Sequence, residues 1–371
     1  DIRGCGDPDT RPCIIKLDPS RGPLKIMRSG VRILGFTQPG PNRYITGPTV
    51  GTGPDGRPGT GDEWKIPDFK KPRVVIDAQD MDNYAIIVDA SNVVIEGLAI
   101  YDADYGAILV TRKGDHSEIR NCFIGLYAKG TEPPSYDKVE GYGIKVDEWA
   151  KYVKVEHNIV AYCGRSGITI GELGERTDQH ATVVNNWVHD CGWYTAQKYW
   201  DDIEVFSSNN VIRYNLVEDC LCSGTTYGGA GIEVRQYAYY NIIEGNTIRG
   251  NARAGIRFYN YARYNQVYWN VITDNPRGLA VESYKGNSYD INVTKNSFSN
   301  NKYFALDLGA DGVTPNDGKY SSNQPNYGTD YPIIKCAVYY PSTKELRVEG
   351  YIGYDSDCDG DPDNTNTLRY N

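Results

Sequence analysis

The 371 residues include 40 Gly, 19 Pro and 31 Tyr against two Met, and 48 acidic against 39 basic side chains give a net charge of −9. That composition describes a turn-rich, strand-rich protein, and its acidity argues against nucleic acid or an anionic membrane as main partner, since both require clustered Lys and Arg. No apolar run reaches the roughly eighteen residues of a membrane-spanning helix, so direct membrane insertion is not expected.

The chain opens at Asp1 without a Met, as expected of a processed export product or of part of a longer protein. Nine Cys without a CxxC pair favour disulfides over zinc. The candidates are Cys5, Cys13, Cys163, Cys191, Cys220, Cys336 and Cys358. Together with the sequon Asn292-Val-Thr294 they suggest an extracellular or cell-surface location.

From PLKIMRSGVRILGF onward, short alternating strands follow one another, interrupted by a Gly- and Pro-rich insertion at 39–72 that reads as a long surface loop. Seven later segments then share one pattern, a strand, an Asn and two or three further strand residues. Their asparagines are Asn121, Asn158, Asn186, Asn215, Asn246, Asn270 and Asn296, a period suited to one solenoid coil each. An inward Asn at each turn can satisfy backbone amides of its own coil and the next.

Between these segments runs a second repeated strand that aligns Ile144, Ile168, Ile203, Ile232, Ile256 and Leu279. Strand alternation turns that column inward and sends Lys145, Thr169, Glu204, Glu233 and Arg257 to solvent. Parallel strands joined by crossovers are right-handed. The expected fold is therefore all-β: a right-handed parallel β-helix of about ten coils, some 50 Å long, over residues 1–326. Five residues past the Asn column, Cys163, Cys191 and Cys220 stack at about the spacing a disulfide accepts.

Residues 327–371 depart from the period. Two alternating strands around IIKCAVYY and ELRVEGYIG, joined by PSTK, read as a hairpin opening a partial β-sandwich. The acidic loop beyond it sets Asp355, Asp357, Asp359, Asp361 and Asp363 on alternate positions around Gly360, a spacing suited to Ca2+.

Two families are similar. ILGFTQPGPN, the NxxExN coils, LDLGADGVTPND and YPIIKCAVYYPSTKELRVEGYIG resemble secreted prokaryotic β-helix repeat surface proteins with an appended immunoglobulin-like segment. That resemblance implies surface attachment or adhesion, while a solenoid's open strand edges and the incomplete β-domain at 327–371 suggest an extracellular structural protein that self-associates as a filament or surface-layer protomer, with a possible glycan or cell-surface partner. The stretch from SGITIGELGERTDQH to AGIEVRQY resembles β-helical alginate and chondroitin lyases, acting on acidic polysaccharides. This second resemblance implies catalytic roles for Asp202, Glu204 and Arg235, with Ca2+ at the carboxylates, but the basic catalyst is absent because Phe206, Ser208 or Asn209 stands in its place.

An outward strip of Lys145, Asp147, Glu172, Asp202, Glu204, Glu233, Arg235 and Arg257 reads either as a carbohydrate groove or as a ladder of exposed ion pairs. His180 and His189 lie beside it as turn or surface residues. Tyr237, Tyr239, Tyr240, Tyr259, Tyr261, Tyr264 and Tyr268 read as one aromatic face, for binding or for stacking alone.

Overall fold

The computed structural model describes residues 6–147, 149–172, 174, 177–194, 199–222, 228–283, 286–314, 316, 321, 323–329, 331 and 333–351. The acidic loop with Asp355, Asp357, Asp359, Asp361 and Asp363 lies outside them, as do Cys5 and Cys358.

Three parallel sheets run the length of the described chain. The first sheet has ten strands from Cys13–Lys16 to Ser297–Ser299, the second ten from Leu24–Ile26 to Phe304–Leu308, and the third nine from Arg32–Leu34 to Asn292–Thr294. Each coil visits the sheets in that order, which gives the ten coils the period implies. The expected inward column is present: Ile144 pairs with Ile168, then Ile203, Ile232, Ile256 and Leu279 in unbroken register. These side chains are fully buried in one core that runs through the solenoid.

Asparagines bind the corner between the third and first sheets. Asn186 Oδ1 accepts from the Asn158 backbone N–H at 3.0 Å, and Asn215 Oδ1 accepts from that of Asn186 at 2.8 Å. The stack continues through Asn246, Asn270 and Asn296. Asn121 does not belong to it. Arg120 pairs with Glu156, so Asn121 lies opposite His157, and the ladder position goes to Cys122, whose N–H donates to Asn158 Oδ1 at 2.9 Å. Asn121 has a positive φ of 53° like His157 at 55°, the left-handed step that lets the chain turn just before the inward residue.

The other two corners carry ladders of their own. Asn210, Asn241 and Asn265 link coils between the second and third sheets. Asn251, Asn275 and Asn301 do so between the first and second, continuing the column that begins with Cys163, Cys191 and Cys220. The expected bridge within that column does not form. Cys163, Cys191, Cys220 and, on the hairpin, Cys336 are free thiols. The first three are packed as small apolar side chains, with Cys191 Sγ directed at backbone carbonyls. Cys13 is disulfide-bonded, to a partner outside the described residues.

The insertion at 39–72 is a strap packed on the solenoid. It folds into two antiparallel pairs, Tyr44–Ile45 with Phe69–Lys70 and Thr49–Val50 with Trp64–Lys65, which bury Val50, Ile66 and Phe69 against the first sheet. Phe69 stacks on His157 at 4.6 Å, and Trp64 reaches Tyr214 at 4.8 Å and Trp269 at 6.1 Å. Gly51 lies so close to Gly245 that a Cβ would meet its backbone at 2.6 Å, which explains the missing side chain at this crossing.

Beyond the coils, Ile333–Tyr340 and Glu345–Tyr351 form the expected antiparallel hairpin. Ile334, Val338, Tyr339, Leu346 and Val348 on it are exposed.

Candidate active site on the second sheet

Outward from the core, the second sheet carries Lys145, Thr169, Glu204, Glu233 and Arg257 in one column. They were expected in solvent. Instead Thr169, Glu204, Glu233 and Arg257 are all buried, the last two at 0% exposure, so their charges must be met locally. Arg235 Nη2 lies 2.9 Å from Glu204 Oε1 and its Nη1 lies 2.8 Å from Glu233 Oε1. Arg257 joins Glu233 at 2.7 Å and Glu282 at 2.6 Å. Aromatic rings line the guanidinium planes: Phe206 4.6 Å from Arg235 and Tyr259 4.1 Å from Arg257.

The expected carboxylate pair Asp202 and Glu204 is not brought together; Asp201 takes the place of Asp202. Simple alternation fails because the strands of this sheet begin with an irregular step. The column one residue before the inward isoleucines is Ala85, Ala107, Gly143, Gly167, Asp202, Gly231, Gly255 and Gly278, and it faces the core. A Cβ on Gly143 would meet Val160 Cγ1 at 2.7 Å, and one on Gly255 would meet Ile272 Cγ2 at 2.6 Å. Asp202 is thus an inward carboxyl in a column of small residues. Its Oδ1 accepts from the Cys191 N–H at 3.3 Å, as an asparagine does elsewhere, and its Oδ2 has no partner. Burial raises its pKa well above the usual carboxylate range.

Asp201 sits one position earlier and faces outward. It forms with Glu204 and Glu233 a buried triad whose oxygens lie within 4.8 Å of one another. Asp201 Oδ1 accepts from the Ala230 N–H at 2.7 Å, whereas Oδ2 is buried without a partner. Burial, then the Glu233 and Glu204 charges, raise the Asp201 pKa well above the carboxylate range. Burial pushes Glu204 up to about 7 against the opposing pull of Arg235. Burial thus favours the protonated form of Asp201, beside two glutamates ion-paired with arginines.

The donor set does not suit Ca2+. An ion between the three carboxyls would have to displace Arg235 and Arg257 from Glu204 and Glu233, so no step is assigned to a metal here.

Glu204 and Arg235 belong to the expected set, and of Phe206, Ser208 and Asn209, the residues expected in place of the missing base, Phe206 lies against Arg235. Sequence reasoning missed Asp201, and the glycine column on either side of Asp202 was the available signal. His180 pairs with Asp178 at 3.0 Å and stacks on Tyr152 at the second corner, while His189 lies on the first sheet beside Asp190. Neither reaches the triad. The seven tyrosines do not share one face. Tyr237 stacks on Tyr261 and Tyr240 on Tyr264 at that second corner, Tyr259 lies on the second sheet, and Tyr268 lies on the third. Stacked coil on coil, the corner rings cover one another's faces.

Residues 76–234 and 200–318 match the family described as the right handed beta helix region, and together these spans cover more than half of the chain. The chain belongs to the right-handed β-helix family. Among solved structures it is similar to the enzymatically active domain of tailspike protein 2 of bacteriophage CBA120, with 13% identity and a TM-score of 0.41 over 74% of this chain and 49% of that one. It is also similar to the A-module of a mannuronan C-5 epimerase of Azotobacter vinelandii, with 13% identity and a TM-score of 0.42 over 80% of each chain. A DFA-IIIase of Arthrobacter chlorophenolicus A6 matches at 12% identity and a TM-score of 0.43, over 81% of this chain and 73% of that one. The chain spans about half the length of the tailspike domain that it matches. At these identities the likeness is one of fold and says nothing about chemistry.

Proposed function

We propose that this β-helix is a glycan-cleaving enzyme that works by acid–base catalysis at Asp201, Glu204 and Glu233. The observation that carries this reading is the Asp201 carboxyl: fully buried, held by one N–H, with its second oxygen unpartnered beside two glutamates. Carboxyls whose environments drive their pKa values apart supply an acid and a base from the same residue type. Asp201 is the proton donor to the leaving oxygen. Glu204, or Glu233 beside it, serves as the carboxylate for the other face of the sugar, with Arg235 orienting both. The close spacing suits a retaining mechanism, in which the two carboxyls lie about 5 Å apart.

The triad is buried in the free protein, so side chains around it must move before substrate reaches it. β-Elimination is the less favoured chemistry, because none of Phe206, Ser208 and Asn209, the residues in place of its base, can take a proton, and Phe206 is packed on Arg235.

Incubation with neutral and uronate-containing polysaccharides separates these chemistries. Acid–base cleavage releases new reducing ends without unsaturated sugars. Unsaturated products would support the lyase alternative, and the absence of any cleavage across such a panel would count against an enzyme.

A second reading, an extracellular structural or adhesive protein that self-associates, draws support from apolar side chains exposed at both ends of the described chain. Ile14 and Met27 on the first coil are 52% and 72% exposed, and Ile334 and Leu346 on the hairpin 61% and 63%. The disulfide at Cys13 fits an oxidising compartment. No helix of the described residues is long and apolar enough to cross a membrane.

A further inference from the structure

Next to the triad, toward the N-terminal coils, lies a group of side chains that the acid–base chemistry does not use. Arg165 stands half-buried with its guanidinium carbon 5.0 Å from the Tyr105 ring centroid, 5.3 Å from that of Tyr142 and 5.3 Å from that of Trp200. Among the described residues no carboxylate comes within ion-pair distance of it, although Arg235, Arg257, Arg253 and Arg277 on the same sheet each hold one. The nearest basic side chain, Lys145, is 5.1 Å from the centroid of Tyr142 and is already paired with Glu172. Tyr84 packs edge-on against Tyr105 at 5.4 Å, and its hydroxyl is buried without a partner, as is Trp200 Nε1.

The three rings stabilise the guanidinium by cation–π contact, and with no carboxylate beside it that charge stays available to an anion. The rings orient the planar fork and exclude water, which strengthens a bidentate contact with a carboxylate. Tyr105 is 44% exposed, so one wall of the enclosure is open to a ligand. The two unpartnered donors, Tyr84 Oη–H and Trp200 Nε1–H, are of the kind that sugar hydroxyls satisfy. Trp200 directly precedes Asp201 and ties the enclosure to the triad: a glycan with one residue over Arg165 presents its neighbour to Asp201.

We infer that Arg165, with Tyr105, Tyr142, Trp200 and the Tyr84 hydroxyl, forms a subsite for a sugar carrying a carboxylate, so that the substrate is a uronate-containing glycan. The inference rests on the glycan-cleaving reading for its substrate, and it is tested by binding alone.

The measurement is calorimetric titration of the full chain carrying Asp201→Asn, so that nothing is cleaved, with three probes: a uronate oligosaccharide, its carboxyl-reduced neutral counterpart, and a sulfated oligosaccharide. The uronate should bind at least about tenfold tighter than the other two, with an affinity that falls as salt rises. Arg165→Gln should remove that preference and Arg165→Lys should keep part of it. Tyr105→Ala, a change at an exposed ring, should weaken uronate binding while the thermal midpoint holds. Equal affinity for the neutral probe, tighter binding of the sulfated one, binding of none of the three, or a preference unchanged in Arg165→Gln would each overturn the subsite. Loss of the preference in Arg165→Gln without any cleavage by the wild type would leave the subsite standing and remove the catalytic reading.

Discussion

Asp202 differs from Gly167 and Gly231, its neighbours in the stack, by a carboxyl placed among core side chains, and that residue governs how stability follows pH. Burial raises its pKa in the folded state. Burial and the nearby Asp80 and Asp77 carboxyls likewise raise Asp102, to about 7 from 3.8. A carboxyl whose folded pKa lies above its unfolded value contributes stability that is fully present below the unfolded pKa and lost as pH rises through the folded one. The thermal midpoint should therefore fall between about pH 4 and pH 7 as Asp102 ionises, with Asp202 adding to the decline. Asp202→Asn should flatten the upper part of this profile and raise the midpoint at about pH 8, as read by differential scanning calorimetry across pH. A midpoint that instead rises with pH in the wild type would contradict the buried protonated state.

Among the elements, the asparagine ladders were legible in the sequence except at their margin. Asn121 and Cys122 are adjacent, and only strand register, with Arg120 opposite Glu156, decides which of them faces inward. The small Cys122 thiol directs itself at the Arg120 carbonyl at 3.2 Å, doing in part what an asparagine amide does in later coils. Asn186→Ala should cost about 3 kcal/mol, since it strands the Asn158 N–H together with acceptors at Val155 and Val184. Asn121→Ala should cost less than about 1 kcal/mol. Urea titrations of the two variants make the comparison, and equal losses would mean that the ladder contributes no more than the turn beside it. The site was half legible for a similar reason. Period-two alternation located Glu204 and Glu233, but it could not foresee the irregular step that turns Asp202 inward and Asp201 outward. Nor does it register the packing that buries an apparently solvent-facing row.

At the scale of the whole molecule, the strap along the flank of the solenoid ties distant coils together. The strap ties coils around His157 to those around Trp269 through Phe69 and Trp64, so Phe69→Ala should destabilise the protein by about 3 to 5 kcal/mol. Limited proteolysis would then cut within 39–72 before it cuts the coils; unchanged protection would show that the strap is held elsewhere. If the apolar side chains exposed at Ile14 and Met27 serve self-association, sedimentation velocity should show the wild type shifting to larger species as concentration rises, and Ile14→Glu should not. A monomeric wild type at every concentration would leave the acid triad as the sole basis for function.

The proposed acid is Asp201, and the adjacent Asp202 carboxyl provides its control. Initial rates of reducing-end release should be compared for the wild type, Asp201→Asn and Asp202→Asn on whichever polysaccharide the wild type cleaves. Asp201→Asn should lower kcat by at least about 100-fold at a thermal midpoint no lower than that of wild type, while Asp202→Asn stays within about threefold of wild type. The reverse pattern, with Asp202→Asn inactive and Asp201→Asn active, would contradict that assignment.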